Sequence, residues 1–488
     1  MRHHYSVSGL LPIFAAASML AFTPLARAAT LAVSPTRDHP TATIDVSGTK
    51  FAAGEKIDVY FDSTDELLVR ANGKGSFRPH PLGVPADALP GVHSITAVGR
   101  RSGKSAKADF TVSTEWKQFH LNRHRVGVNA YENVLSADNV AGLAQAWVGT
   151  TGGVIFSSPA VANGVVYVGS EDDKLYAFNA ATGALLWSAA TQAPIYSSPA
   201  VANGTVFVGS YDGTLYAYNA ATGALLWSTA TGGPIESSPG VSGGMVYVGS
   251  NDNKLYAFDA KSGTVLWTAT TGSSIFSSPS VVKGVVYVAS EDNRLYAFNA
   301  TTGSQVWVAD TDNVLESSPA VVDGVLYLGS FDGKVYAFDI ATGTRLWVTA
   351  STGSNIISTP AVANGLVYIG SEINNLYAFS AKDGALVWSA ATGSSIDSSP
   401  AVANGVVYAG SWDNNFYAFD AATGKQLWSA ATDNVVVSSP AVSNGMVYVG
   451  SWDNNLYAYA LKDRARVSRI HHPAPAALHP DLRLQLMP

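Results

Sequence analysis

The chain has 488 residues, 47% hydrophobic and 13% charged, with a formal net charge of -7 and no cysteine. Such a composition is globular rather than disordered and offers no net positive charge for nucleic acid. It also excludes disulfides, thiolate metal sites, c-type haem attachment, a cysteine nucleophile and a lipid-bearing cysteine.

Residues 1–28 have the features of a secretory signal peptide. Arg2 gives a basic start, 10–22 is apolar but short for a bilayer, and Ala26-Arg27-Ala28 is a small-x-small cleavage site. An uncleaved membrane anchor is the alternative. No other apolar run approaches the roughly 20 residues of a membrane span. The mature chain is therefore expected to be exported, with no transmembrane segment: secreted, periplasmic or on the cell surface.

Residues 30–113 carry strand-like runs at 43–46, 56–61, 93–98 and 108–112, separated by Gly, Pro and Asp clusters. Short alternating strands at this spacing predict a small β-sandwich. The segment resembles bacterial immunoglobulin-like modules of the IPT/TIG type in VSGTKFAAGEKIDVYF and PGVHSITAVGRRSGKSAKADFTV. That resemblance implies a spacer or adhesive unit, or simply a rigid stalk.

Residues 114–146 form a connector in which Trp116, Phe119, Tyr131 and Leu135 are expected to pack on the next domain. Arg123, Arg125 and Glu132 predict a salt-bridged strap across it.

From residue 147 to 460 the chain repeats. Ser-Ser-Pro, once Ser-Thr-Pro, begins at Ser157, Ser197, Ser237, Ser277, Ser317, Ser358, Ser398 and Ser438, in steps of 40 residues with one of 41. A period in this range means a solenoid, propeller or array. In the first copy the strands are expected at 154–161, 165–169, 175–179 and 184–188. The Asn163-Gly164 dipeptide between the first two is a hairpin turn signal. Strands two and three are apolar on both faces, so their sheet must be covered on both sides. Four-stranded sheets stacked around an axis achieve that, and the expected fold is an all-β, eight-bladed β-propeller.

Tryptophans end the fourth strand at Trp187, Trp227, Trp267, Trp307, Trp347, Trp388 and Trp428. No eighth Trp follows the last copy. Trp147 precedes the first instead, at the same ten-residue offset from Ser157 as Trp187 from Ser197. An N-terminal strand at Trp147 should complete the last blade and remove an open edge. Residues 461–488 are Pro-, His- and Arg-rich without periodicity and are expected to be a disordered tail.

The element Ala-x-Asp/Asn-x-x-Thr-Gly-x-x-x-Trp, as in 177–187 and 217–227, resembles the tryptophan-docking motif of PQQ-type, quinoprotein-like propellers. The WD40 repeat has a similar period, but its dipeptide occurs only at Trp412-Asp413 and Trp452-Asp453. The resemblance implies an indole packed between neighbouring blades.

The Xaa-Gly and Thr-Gly turns barely vary between copies, and they define one rim as scaffold. On the other rim the copies diverge. The residue before Ser-Ser is Phe156, Tyr196, Glu236, Phe276, Glu316, Ile357, Asp397 or Val437. The two–three turn begins with Glu171, Tyr211, Asn251, Glu291, Phe331, Glu372, Trp412 or Trp452. A fixed rim opposite a varied rim is the pattern of a binding face, and also of neutral drift on a tolerant surface. The candidate rim is Phe156, Tyr196, Glu236, Phe276, Glu316, Asp397, Tyr211, Phe331, Trp412 and Trp452. The Asp next in each turn, Asp172 to Asp453 with Ile373 the exception, is expected to close its own turn rather than to hold calcium.

Two functions follow. One is a non-catalytic exported scaffold that binds a protein, peptide or carbohydrate, resembling the BamB-type assembly propellers. The other is a PQQ- and calcium-dependent dehydrogenase of alcohols or sugars. The dehydrogenases of that group use long inter-blade insertions, a vicinal Cys pair and a basic residue beside the quinone's carboxylates. Here there is no Cys, the copies are nearly uniform, and the only blade arginines are Arg294 and Arg345. No cofactor, no metal site and no catalytic residue are therefore expected.

Overall fold

The computed structural model describes residues 28–462. The expected leader over 1–28 and the tail over 461–488 lie outside them, except for residues 28, 461 and 462. Among the described residues no helix is long and apolar enough to cross a membrane. The chain divides into two compact units.

Among the described residues the first unit comprises 28–35, 43–82 and 94–110. Thr43–Thr49 lies between Thr30–Ser34 and Phe77–Gly83 in one sheet. A second sheet runs in the order Thr64–Arg70, Lys56–Phe61, Gly91–Gly99, Ser105–Val112. Alternate residues are withdrawn from solvent: Ile44 and Val46 in the first sheet, Ile95 and Ala97 in the second.

The second unit holds the repeats. In the first copy Ala160–Ala162, Val165–Ser170, Lys174–Asn179 and Leu185–Ala190 form an antiparallel four-stranded sheet. Asn163 and Gly164 both have positive φ, 52° and 77°, as a type I′ turn demands. The middle strands are buried on both faces. Eight such sheets occur among the described residues, one of them extended by the short parallel strand Val128–Asn129, and together they are a β-propeller.

The first strand is shorter than expected, and the reason lies in Ser-Ser-Pro. Ser157 and Ser158 turn their hydrogen bonds away from the sheet ladder. Ser157 Oγ accepts from Gly169 N at 3.0 Å within the copy. The Ser158 amide donates to Ser198 Oγ of the next copy at 2.9 Å. The same link runs from Ser198 to Ser238, Ser278, Ser318, Thr359, Ser399 and Ser439. Ser439 N then donates to Ser158 Oγ at 3.0 Å, closing a loop of hydrogen bonds around the axis. Thr359 keeps the hydroxyl that the loop requires, so Ser-Thr-Pro is an allowed spelling.

Outside that loop lies a second one of tryptophans. Trp187 Nε1 donates to Ala220 O at 3.1 Å, and the pattern continues from copy to copy. A Cβ on Gly183 would come within 2.7 Å of the Trp147 ring, which explains glycine at this turn. The N-terminal strand Leu143–Thr150 pairs antiparallel with Asn455–Leu461 and forms the outer strand of the last sheet.

Candidate functional site

One side of the ring is covered by the connector. Trp116 and Val161 exchange backbone bonds. Val201, Val281, Val321, Val362 and Val402 then donate in turn to the carbonyls of Lys117, Arg123, His124, Val126 and Gly127, at 2.7–3.1 Å. Gln118 Oε1 accepts from Val241 N at 3.1 Å, and Asn129 Nδ2 donates to Val442 O at 2.8 Å. The connector thus touches the innermost strand of every copy in chain order.

This corrects the expected salt-bridged strap. Arg125 is fully buried and its guanidinium donates only to backbone carbonyls. Nη1 reaches Phe119 O at 2.7 Å, Nη2 reaches Ser238 O at 3.0 Å and Pro239 O at 2.9 Å, and Nε reaches Pro279 O at 3.2 Å. Burial pulls Arg125 down to about 9, so it stays charged near neutral pH. Glu132 likewise accepts from Val134 N and Leu135 N at 2.9 and 3.1 Å and from Gly445 N at 3.1 Å. The one sequence hint was Gly240, where other copies have Ala or Ser. A Cβ there would stand 2.9 Å from Pro279 O and 3.6 Å from Arg125 Nη2.

Each Val that meets the connector lies four residues beyond the first Ser of its copy, roughly 13 Å along an extended chain. The varied residues just before that Ser therefore fall on the opposite rim, away from the connector. The two–three turn joins them there, because Glu171 N donates to Val154 O at 2.9 Å and Tyr211 N to Pro194 O at 2.9 Å.

Five of the expected rim residues form a continuous aromatic run. Trp412 and Trp452 meet edge to face with centroids 5.0 Å apart. Phe156 lies 4.6 Å from Trp452 and 5.2 Å from Tyr196, and Tyr196 is 5.6 Å from Tyr211. Tyr211 is 47% exposed and Trp412 37%, so the run ends in open faces. Among the described residues Phe276 and Phe331 join none of these contacts.

Carboxylates stand elsewhere on the rim, beside Phe276, Phe331, Ile357, Val437 and Asn251. Trp412 Nε1 donates to Asp397 Oδ2 at 2.6 Å, and Asn251 Nδ2 to Glu236 Oε1 at 3.0 Å. Burial first, then the charges of Glu291, Glu236, Glu372 and Asp397, push Glu316 up to about 7. Burial and Glu372 lift Asp397 to about 6 against the Trp412 N–H. Burial also raises Glu236, with Asn251 opposing and Glu291 adding. Glu291 and Glu372 thus belong to this arc, although the candidate set omitted them.

The turn Asp does more than close its own turn. Asp212 Oδ1 accepts from Thr214 N at 2.7 Å within the turn, while Oδ2 accepts from Tyr216 Oη at 2.8 Å and from Gln192 N of the preceding copy at 3.0 Å. Each such Asp has a Tyr four residues on, a spacing visible in the sequence. Where Ile373 replaces it, Tyr377 receives only a 3.4 Å bond from Asn375. Among the described residues no group of three or more His, Asp or Glu is placed to hold a metal ion.

A PQQ cofactor would bring carboxylates of its own to a rim already lined with them. Lys174, Lys254, Lys334 and Arg294 are held by Asp172, Asp252, Asp312 with Asp332, and Asp310. The residues present do not fit that group.

A family model described as outer membrane protein assembly factor BamB matches residues 95–237, 212–377 and 372–477. No curated protein matches the chain. Among solved structures, BamB from Moraxella catarrhalis is 20% identical with a TM-score of 0.57, covering 65% of this chain and 99% of that one. A europium-containing methanol dehydrogenase is 17% identical with a TM-score of 0.62, covering 71% and 98%. The quinohemoprotein alcohol dehydrogenase ADHIIG from Pseudomonas putida HK5 is 18% identical with a TM-score of 0.64, covering 75% and 82%. These likenesses show the propeller fold alone.

Proposed function

The chain belongs to the family of outer membrane protein assembly factor BamB, and on that premise we propose that it is an exported, non-catalytic interaction scaffold of the cell envelope. Its eight sheets are the blades of an eight-bladed propeller, preceded by an Ig-like spacer. The family membership supports an envelope role without choosing between scaffold and dehydrogenase. The observation that carries the scaffold reading is the rim opposite the connector, where burial and neighbouring carboxylates raise Glu236, Glu316 and Asp397 and where, among the described residues, none of the three has an ion pair. Aromatic faces beside carboxylates are instead the surface of a binding site.

Photocross-linking in producing cells tests this. A photoreactive residue at Tyr211, on the rim opposite the connector, should give discrete protein adducts, and one at Leu186, on an outer strand, should not. Adducts from Leu186 alone, or none from Tyr211, would overturn the assignment of the rim.

A further inference from the structure

We propose that the rim opposite the connector takes a basic peptide segment, its Lys or Arg side chains received by the carboxylate arc and its backbone by the aromatic run. The proposal rests on the scaffold reading and names the partner's chemistry.

Three observations lead there. First, Glu236, Glu291, Glu316, Glu372 and Asp397 come from five different copies and act on one another electrically. Among the described residues, Lys254, Arg294 and Lys334, nearest in sequence to Glu236, Glu291 and Glu316, are engaged by other carboxylates. Carboxylates held together without cations favour a ligand that brings several positive charges. They are too dispersed for a metal ion.

Second, the aromatic run ends beside this arc. Trp412 is fixed by its bond to Asp397 and is itself 37% exposed. An indole face beside a carboxylate is a cation–π site, strongest for Trp.

Third, the indole nitrogen of Trp452 is enclosed and has no acceptor, and the second oxygen of Asp397 is enclosed and has no donor. An enclosed N–H without a partner is costly. A peptide that shifts these two side chains as it docks supplies both missing groups, a carbonyl for Trp452 and an N–H or ammonium for Asp397. A simple polyamine supplies only the second.

The test is titration of the full chain with a fluorescent peptide of alternating Lys and Phe, against an acidic peptide of equal length and spermine. The Lys peptide should bind, the acidic one should not, and spermine should bind at least tenfold more weakly. The double variant Glu316→Gln/Glu372→Gln and, separately, Trp412→Ala should each weaken peptide binding about tenfold. Glu66→Gln, exposed on the first unit, removes one charge elsewhere and should change nothing. An equal loss with Glu66→Gln, spermine binding as tightly as peptide, or no binding at all would overturn the proposal. If peptide binding fails while Tyr211 still cross-links an envelope protein, this inference falls and the scaffold reading stands; if both fail, the scaffold reading falls as well.

Discussion

Trp147 donates its indole N–H to the carbonyl of Ala180 at 3.0 Å, joining the start of the repeat region to its first Thr-Gly turn. The same strand carries Leu143, whose carbonyl accepts from Trp428 Nε1 at 3.1 Å. One eight-residue strand therefore completes the tryptophan circuit on both of its sides. Trp147→Ala should cost about 3–5 kcal/mol in denaturant unfolding. In hydrogen exchange, Leu143–Thr150 and Asn455–Leu461 should lose protection first. Loss spread evenly over all sheets would contradict a closure role.

Arg125 is the second anchor. Replacing it with Ala orphans four backbone carbonyls in the ring interior. A charged hydrogen bond is worth about 1.5–3 kcal/mol, so Arg125→Ala should destabilise by at least about 3 kcal/mol. Arg125→Lys should not recover it, because an ammonium lacks the planar fork that reaches carbonyls from two copies. Full stability of the Lys variant in chemical denaturation would refute this.

Ile373 leaves Tyr377 without the carboxylate that its counterparts have. Ile373→Asp should install the bond and raise stability by roughly 0.5–1.5 kcal/mol. The reverse change, Asp212→Ile, should remove the bonds from Thr214, Tyr216 and Gln192 and lower stability. Equal denaturation midpoints across the three proteins would show that the Asp–Tyr tie carries no stability.

Glu316 predicts a pH effect whose sign is fixed. Its folded value of about 7 lies above the ordinary carboxylate value, so the native state holds the extra proton between the two. Stability from this group is present at low pH and lost as pH rises from about 4 through 7. Glu316→Gln should flatten that decline in thermal midpoints between pH 4.5 and 8. An unchanged slope would mean that the arc does not crowd its charges.

Much of this architecture was legible because it is periodic. The period, the Asn-Gly turns and the displaced Trp147 showed a ring and its closure, each through a local rule. The Ser-Ser-Pro element was recognised but not understood, since its hydrogen bonds run between copies and no single copy reveals them. The connector's chemistry is not legible in its sequence. Arg125 and Glu132 look like partners in sequence, yet each is held by backbone groups up to hundreds of positions away. The varied rim was found as a list of non-repeating residues. Its division into an aromatic run and an acidic arc depends on which copies are neighbours, a property of the closed ring.

The most direct measurement is reconstitution of the purified full chain with PQQ and Ca²⁺, followed by quinone absorbance after gel filtration and by dye reduction with alcohols and sugars. No quinone should be retained and no dye reduced, because the rim presents carboxylates to a carboxylated cofactor. Retained quinone with turnover would contradict the scaffold reading at its root.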